Sequence, residues 1–182
     1  IGKVAAVRDM LKDCSLTGHK EIVFSSFREP LQSLATALPN SVLYRGELSA
    51  SDRQNAVDRF QTDPKTCFFF GSTPAAGVAI TLTAADRVRF LDLPWTPGGK
   101  VQAEDRAHRW GQKNAVHVFT VVAPNTIDEM IVNILAEKEV LIAQAIDGKS
   151  AEEARQGSIS LELVNRMRSM PLREPPPRYD ES

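Results

Sequence analysis

The sequence predicts an α/β domain whose mostly parallel central sheet is flanked by helices. Three observations predict it. Short runs rich in β-branched and aromatic residues alternate with stretches of helical periodicity. The connections between them are short, as in βαβ units. One run, Thr66 to Phe70, is nearly all apolar, as a strand buried on both faces of a parallel sheet must be.

Taken in order, Gly2 to Cys14 places Val4, Val7 and Leu11 at helical spacing, a short amphipathic helix. Glu21 to Ser25 (EIVFS) reads as a buried strand. Glu29 to Leu38 reads as a helix with Pro30 in its first turn, where a missing N–H is harmless. Val42 to Tyr44 is a second strand, and Ser49 caps a helix to about Phe60 with Ala56, Val57 and Phe60 as its apolar stripe. Thr66 to Phe70, Arg87 to Leu93 and Val116 to Ala123 are the third, fourth and fifth strands. Thr126 opens the clearest helix: TIDE is a capping box, and Ile127, Met130, Ile131, Ile134, Leu135, Leu141, Ile142 and Ala145 form its apolar side. Leu161 to Met170 reads as one more short helix, and the proline-rich, charged stretch from Pro171 to Ser182 as a mobile tail.

A length of 182 residues suffices for one domain with a full core. Hydrophobic content of 42% and charged content of 25% are those of an ordinary globular domain. The net charge of -1 gives no bulk attraction for nucleic acid, so such a partner must be held by local residues. The two cysteines, Cys14 and Cys67, lack metal-ligand spacing; Cys67 lies in an apolar run and is expected to be a buried thiol, which suits a reducing compartment. The three histidines are dispersed and suggest no metal site. No secretory signal or membrane-length apolar run is visible. Because the first residue is Ile1, the chain is expected to be processed or to be a piece of something longer.

The most informative stretch is QAEDRAHRWGQ, from Gln102 to Gln112. At helical spacing Gln102, Asp105, Arg106 and Arg109 share one face, while Ala103, Ala107 and Trp110 form an apolar stripe suited to lying on a sheet. Gly111 then stops the helix. Two arginines a turn apart suit a phosphate whose charge is shifting, since Arg is always charged, planar and able to donate two hydrogen bonds at once. The plain alternative is a solvated helix face with an internal Asp–Arg pair. Further upstream, FFFGSTPAAG places Gly71, Ser72, Thr73 and the small Ala75, Ala76 and Gly77 at the end of the third strand. Such a loop suits phosphate binding through N–H groups and hydroxyls, although small residues packed between helix and sheet give the same pattern.

The string from Gln102 to Gln112 matches QAxDRxHRxGQ and so resembles the last helicase motif, motif VI, of the Swi/Snf family of DNA-dependent ATPases, within superfamily two. Ser72 to Asp86 resembles motif V of that family, with Ala76 and Ala79 in place of glycines and Thr81 in place of asparagine, a variant similar to the annealing-helicase branch. IVFSSFR, from Ile22 to Arg28, resembles motif IV, and Tyr44-Arg45-Gly46 followed by ELSASDR resembles the next element. Asp92, Trp95 and Pro97 resemble the DxxWNP element, with Thr96 in place of asparagine.

The resemblance covers Val4 to about Gly148 and implies a carboxy-terminal RecA-like lobe over residues 1–125, a brace helix over 126–149, a helical extension over 150–170 and a flexible tail over 171–182. It implies that Arg106 and Arg109 act as arginine fingers with Gln102 beside them, and that Asp105 and Gly77 support the nucleotide cleft. Arg28, Arg45, Gly46, Ser72 and Thr73 would hold one DNA strand, chiefly through phosphates. Asp92 and Trp95 would stand at the lobe interface. Arg53 would touch a phosphate or form a structural ion pair. The phosphate-gripping GxxxxGK[ST] and the Asp–Glu pair that holds magnesium are missing from the sequence; they belong to the amino-terminal lobe.

The chain is therefore expected to be half of a motor, inactive alone. ATP with magnesium would be shared with an amino-terminal lobe supplied in cis or in trans, none being bound by this chain alone. The partner would be double-stranded DNA and not a membrane, in the cytoplasm of a prokaryote or phage-infected cell or in a eukaryotic nucleus, and the protein is not expected to be secreted. The alternative is a non-catalytic DNA- or protein-interaction module built on a stand-alone lobe. A self-contained phosphotransfer or hydrolase enzyme is disfavoured, since no nucleophile–base pair or metal cluster can be pointed to.

Overall fold

The computed structural model describes residues 2–15, 17–72, 80–93, 102–107, 111–112 and 114–146, with backbone alone at 14, 15 and 139–146. Five strands, β1 (Glu21–Ser25), β2 (Ser41–Tyr44), β3 (Phe68–Ser72), β4 (Arg87–Phe90) and β5 (His117–Thr120), form one sheet in the order β2-β3-β1-β4-β5. Every pairing is parallel. The expected mostly parallel sheet is thus wholly parallel among the described residues. β2 and β3 lie to one side of β1, β4 and β5 to the other, and open α/β sheets bind ligands beyond the carboxyl ends of strands where the order reverses.

Helices cover both faces. α1 (Lys3–Ser15) and α2 (Arg28–Ala37) close one side, where Val7, Leu11, Leu31 and Leu34 meet Val23, Phe68, Phe70 and Leu91. α3 (Ala50–Thr62), the segment 102–107 and α4 (Ile127–Ile146) close the other, where Val57, Phe60, Ala103, Ala107, Ile131 and Ile134 meet Ile22, Phe24, Phe69, Val88 and Phe90. The alternation of strand side chains explains the triple phenylalanine in β3. Phe68 and Phe70 stack at 6.0 Å on the first face, while Phe69 meets Tyr44 and Phe60, each at 5.4 Å, on the second.

Local chemistry sets the ends. Ser49 caps α3, its hydroxyl accepting the Asp52 N–H at 3.1 Å. At the other end of α3, Lys20 donates to the carbonyls of Phe60 and Asp63 at 2.5 and 2.8 Å, and burial pushes its ammonium pKa down. β3 starts at Phe68, two residues later than expected, because Thr66 Oγ1 donates to Asp63 and the Cys67 N–H donates to Asn40 O at 2.8 Å. Cys67, expected to be buried, is only half-buried on this lead-in. The capping box of α4 is displaced by one residue: Thr126 Oγ1 accepts the Asp128 N–H at 3.3 Å, and Glu129 accepts the N–H of Asn125 at 3.0 Å. Asn125 takes a positive φ of 59° to allow this, a conformation Asn tolerates. Lys3 pairs with Asp128 at 2.6 Å, joining the starts of α1 and α4.

One feature was not foreseen from the sequence. Glu21 is fully buried and pairs with Arg89 of the neighbouring β4, whose guanidinium also lies 4.9 Å from the Phe119 ring of β5. The expected helical extension over 150–170 and the tail over 171–182 lie outside the described residues.

Candidate nucleic-acid interface

Beyond the carboxyl ends of β1, β2 and β3 lies a cleft of about 500 Å³. Arg28 enters it from the first residue of α2, Arg45 and Gly46 from the turn after β2, Arg53 from the first turns of α3, and Ser72 from the last residue of β3. The residues expected to touch a nucleic-acid backbone that fall within the described part therefore converge on one hollow, although they are 44 positions apart in sequence (72 − 28). Thr73 lies outside the described residues. Arg28, more exposed, pairs at the mouth with Glu47, an acid the sequence reading passed over because it has no partner within one helical turn.

Asp92 lies behind the cleft and fixes Ser26, which lines it. It accepts a hydrogen bond from the Ser25 hydroxyl and another from the Ser26 N–H at 2.7 Å, so both its oxygens are engaged within the lobe. Ser25 Oγ in turn accepts the Phe27 N–H at 3.0 Å. The end of β4 is thereby tied to the end of β1 and to the entry of α2. Trp95, the other residue expected at a lobe interface, lies outside the described residues.

The two glycines differ. A Cβ on Gly46 would meet nothing within 4 Å. A Cβ on Gly71 would sit 3.1 Å from Phe69 and 3.4 Å from Phe24, so this glycine makes room for the aromatic core. At Gly71 the packing alternative applies: the space beside it is already filled by side chains.

The segment carrying the arginine pair is helical at 102–104 and continues as a turn through 107. Ala103 and Ala107 are buried, as the apolar stripe requires, and Gln102 and Asp105 are exposed. Arg106 is not: it is 7% exposed, where the helical projection places it beside Gln102 and Asp105. Its N–H donates to Ala103 O at 3.3 Å and that of Ala107 to Glu104 O at 3.1 Å, bonds of three-residue spacing. In that tighter winding residue 106 stands directly over residue 103 and follows it inward. Arg109 and Gly77 lie outside the described residues, so the arginine pair is not seen together. Gly111 has φ of 101°, consistent with its expected role in ending the helix.

Two side-chain amides and a main-chain bond strap this segment to the stretch after the glycine-rich loop. The Leu82 N–H donates to Arg106 O at 2.9 Å. Gln112 donates to Ala85 O at 2.6 Å, and Gln61 of α3 accepts the Ala84 N–H at 2.8 Å while donating to Thr81 O at 3.2 Å. Gln61 carried no local signal in the sequence, since its partners are some twenty residues away. Among the described residues no group of three or more His, Cys, Asp or Glu side chains converges as a metal site, and no helix is long and apolar enough to cross a membrane.

Residues 2–111 match the family described as helicase conserved C-terminal domain. Human lymphoid-specific helicase is 38% identical over 144 residues, covering 77% of this chain and 17% of the relative. The human DNA annealing helicase and endonuclease ZRANB3 is 36% identical over 166 residues, covering 86% of this chain and 15% of the relative. The TATA-binding protein-associated factor mot1 of Aspergillus fumigatus is 30% identical over 172 residues, covering 82% and 9%. The chain thus spans less than a fifth of the length of these curated relatives. Among solved structures, the C-terminal part of the Fun30 ATPase domain superposes with a TM-score of 0.71 at 27% identity, covering 91% of this chain and 53% of that one.

Proposed function

The chain belongs to the helicase conserved C-terminal domain family as the carboxy-terminal RecA-like lobe of a Swi/Snf-type superfamily-two ATPase, and from that premise we propose that it serves as one half of an ATP-driven translocase on double-stranded DNA. The single observation that carries the reading is the convergence of Arg28, Arg45, Gly46 and Ser72 on one cleft at the carboxyl ends of the strands. Guanidinium, hydroxyl and main-chain groups in a hollow of this size suit the phosphates of one strand and carry no base readout.

ATP and its magnesium sit chiefly on an amino-terminal lobe joined in cis or in trans. Arg106 and Arg109 reach the transferring phosphoryl group from this side, with Gln102 beside them. Positive charge placed there accelerates such transfer by about a thousandfold or more. Arg106 lies inward, so lobe closure must rewind the turn over 105–107 towards α-helix and swing the guanidinium out. The bond from Leu82 to Arg106 offers a direct route for that movement to reach the stretch over 80–85.

The test is turnover in a complete motor carrying this lobe. Arg106→Ala and Arg109→Ala should each lower DNA-stimulated ATP hydrolysis by about a thousandfold and change DNA affinity less than about twofold. Equal loss of DNA binding would overturn the finger assignment. The chain by itself should hydrolyse no ATP above background. A second reading, a non-catalytic DNA- or protein-binding lobe, draws on the burial of Arg106; unaltered turnover in both arginine variants would favour it.

A further inference from the structure

One edge of the sheet is bare and apolar. β5 is its last strand and pairs with β4 alone among the described residues. All four residues of β5 are exposed, whereas β2 at the opposite edge exposes none of its own. Four of the six large apolar side chains exposed among the described residues, Val118, Phe119, Val122 and Ile127, lie on β5 or just after it. A strand edge of this kind, with no proline or lysine in HVFT to blunt it, is a template for another strand. The hand of the crossovers fixes where the next strand belongs. From β2 to β3 the chain steps toward β5 with α3 on the face that α4 also covers. From β1 to β2 it steps the other way with α2 on the opposite face, which is the same hand. Crossovers between parallel strands keep one hand in about 98% of cases. A parallel strand after α4 therefore falls on the outer side of β5, the side left bare.

The chain beyond α4 contains a segment of the right pattern. Ser158 to Val164 reads SISLELV, in which Ile159, Leu161 and Leu163 alternate with Ser158, Ser160 and Glu162. Strict alternation is the period of a half-buried strand, not of a helix. The reach is sufficient. The 20 residues of α4 span about 30 Å, and the eleven residues from 147 to 157 (157 − 146) can extend to about 36 Å. We infer that Ser158 to Val164 adds to the outer edge of β5 as a sixth parallel strand. Val118 is in register with Val88 of the α4-side core, so it faces that side, and Ile159, Leu161 and Leu163 pack beside it. Ser160 and Glu162 fall on the other face, that of Phe119 and Arg89. The helix expected over Leu161 to Met170 then starts only after the strand.

The experiment follows amide hydrogen exchange in the whole 182-residue chain and its Leu161→Asp, Leu161→Val and Val118→Asp variants, at low and high protein concentration. Leu161→Asp should speed exchange of the β5 amides at least about tenfold and leave those of β1 and β3 unchanged. Leu161→Val should keep the wild-type rates, since valine suits a strand. Val118→Asp, made on the exposed edge, should in turn release the amides of 158–164. If Leu161→Asp also frees β3, Val118→Asp decides. β5 amides that exchange freely in the wild-type chain, or whose protection survives both Asp variants, would overturn the inference. Protection of β5 that appears only at high concentration would show a second copy on this edge and overturn it too. Protected amides over 158–164 that ignore Val118→Asp would show a helix independent of the sheet, with the same consequence.

Discussion

Asp92 accepts the Ser26 N–H at 2.7 Å and so holds the end of β1 against the end of β4, behind the candidate DNA cleft. Removing that carboxylate leaves a main-chain donor and the Ser25 hydroxyl without their acceptor. Asp92→Ala should destabilise the isolated chain by about 1–3 kcal/mol in urea unfolding and weaken duplex binding. A residue that acted only at a junction between lobes would leave the stability of this chain unchanged.

The buried pair of Glu21 and Arg89 should behave asymmetrically. Arg89→Met strands a carboxylate in the core and should cost about 3–5 kcal/mol. The double variant Glu21→Met/Arg89→Met removes both charges and should recover most of that loss. Chemical denaturation of the three proteins reads the difference directly.

Glycine substitutions separate packing from ligand approach. Gly71→Ala drives a methyl to 3.1 Å from Phe69 and should cost about 1–3 kcal/mol by overpacking. Gly46→Ala meets open space and should leave the melting temperature unchanged. A drop in duplex affinity for Gly46→Ala at constant stability would report the close passage of a ligand.

Glu47 competes with phosphate for Arg28 at the mouth of the cleft. Exposed ion pairs are worth at most about 1 kcal/mol, so Glu47→Gln should tighten duplex binding by up to about fivefold. Fluorescence titration at low salt tests this; weaker binding would show that the acid orients Arg28 instead.

Asp63 gives an acid-stability signature. The Lys65 N–H first, and then the Thr66 hydroxyl, hold its carboxyl below the ordinary value of 3.8. A carboxylate with a depressed native pKa stabilises the fold above its unfolded value, and that stability is lost as pH falls through the native one. Asp63→Asn should therefore flatten the fall in melting temperature below about pH 4 and leave a constant deficit at neutral pH.

Much of this was legible in the chain because the signals are local. The strand over Glu21–Ser25, the Ser49 cap and the buried Ala103 and Ala107 all follow from spacing and residue type within a few positions. Strand ends were less legible, as at β3, because the lead-in is held by long-range and turn bonds: Thr66 donates to Asp63, the Cys67 N–H donates to Asn40 O, and Cys67 O accepts the N–H of Glu21 in β1. The tightened winding at residues 105–107 was invisible for the same kind of reason: Leu82, 24 positions upstream (106 − 82), donates to Arg106 O.

The sequence by itself determined the alternation of elements, the parallel class of the sheet and the motifs that mark the family, since periodicity, capping and turn chemistry act over one or two turns of chain. Only the tertiary structure decided which charges meet: Glu21 with Arg89, Glu47 with Arg28, and Arg53 with nothing among the described residues. Pairing of side chains depends on strand order and on how deep each helix sits, and those come from burying two apolar faces at once, a condition on the whole chain that no short stretch contains.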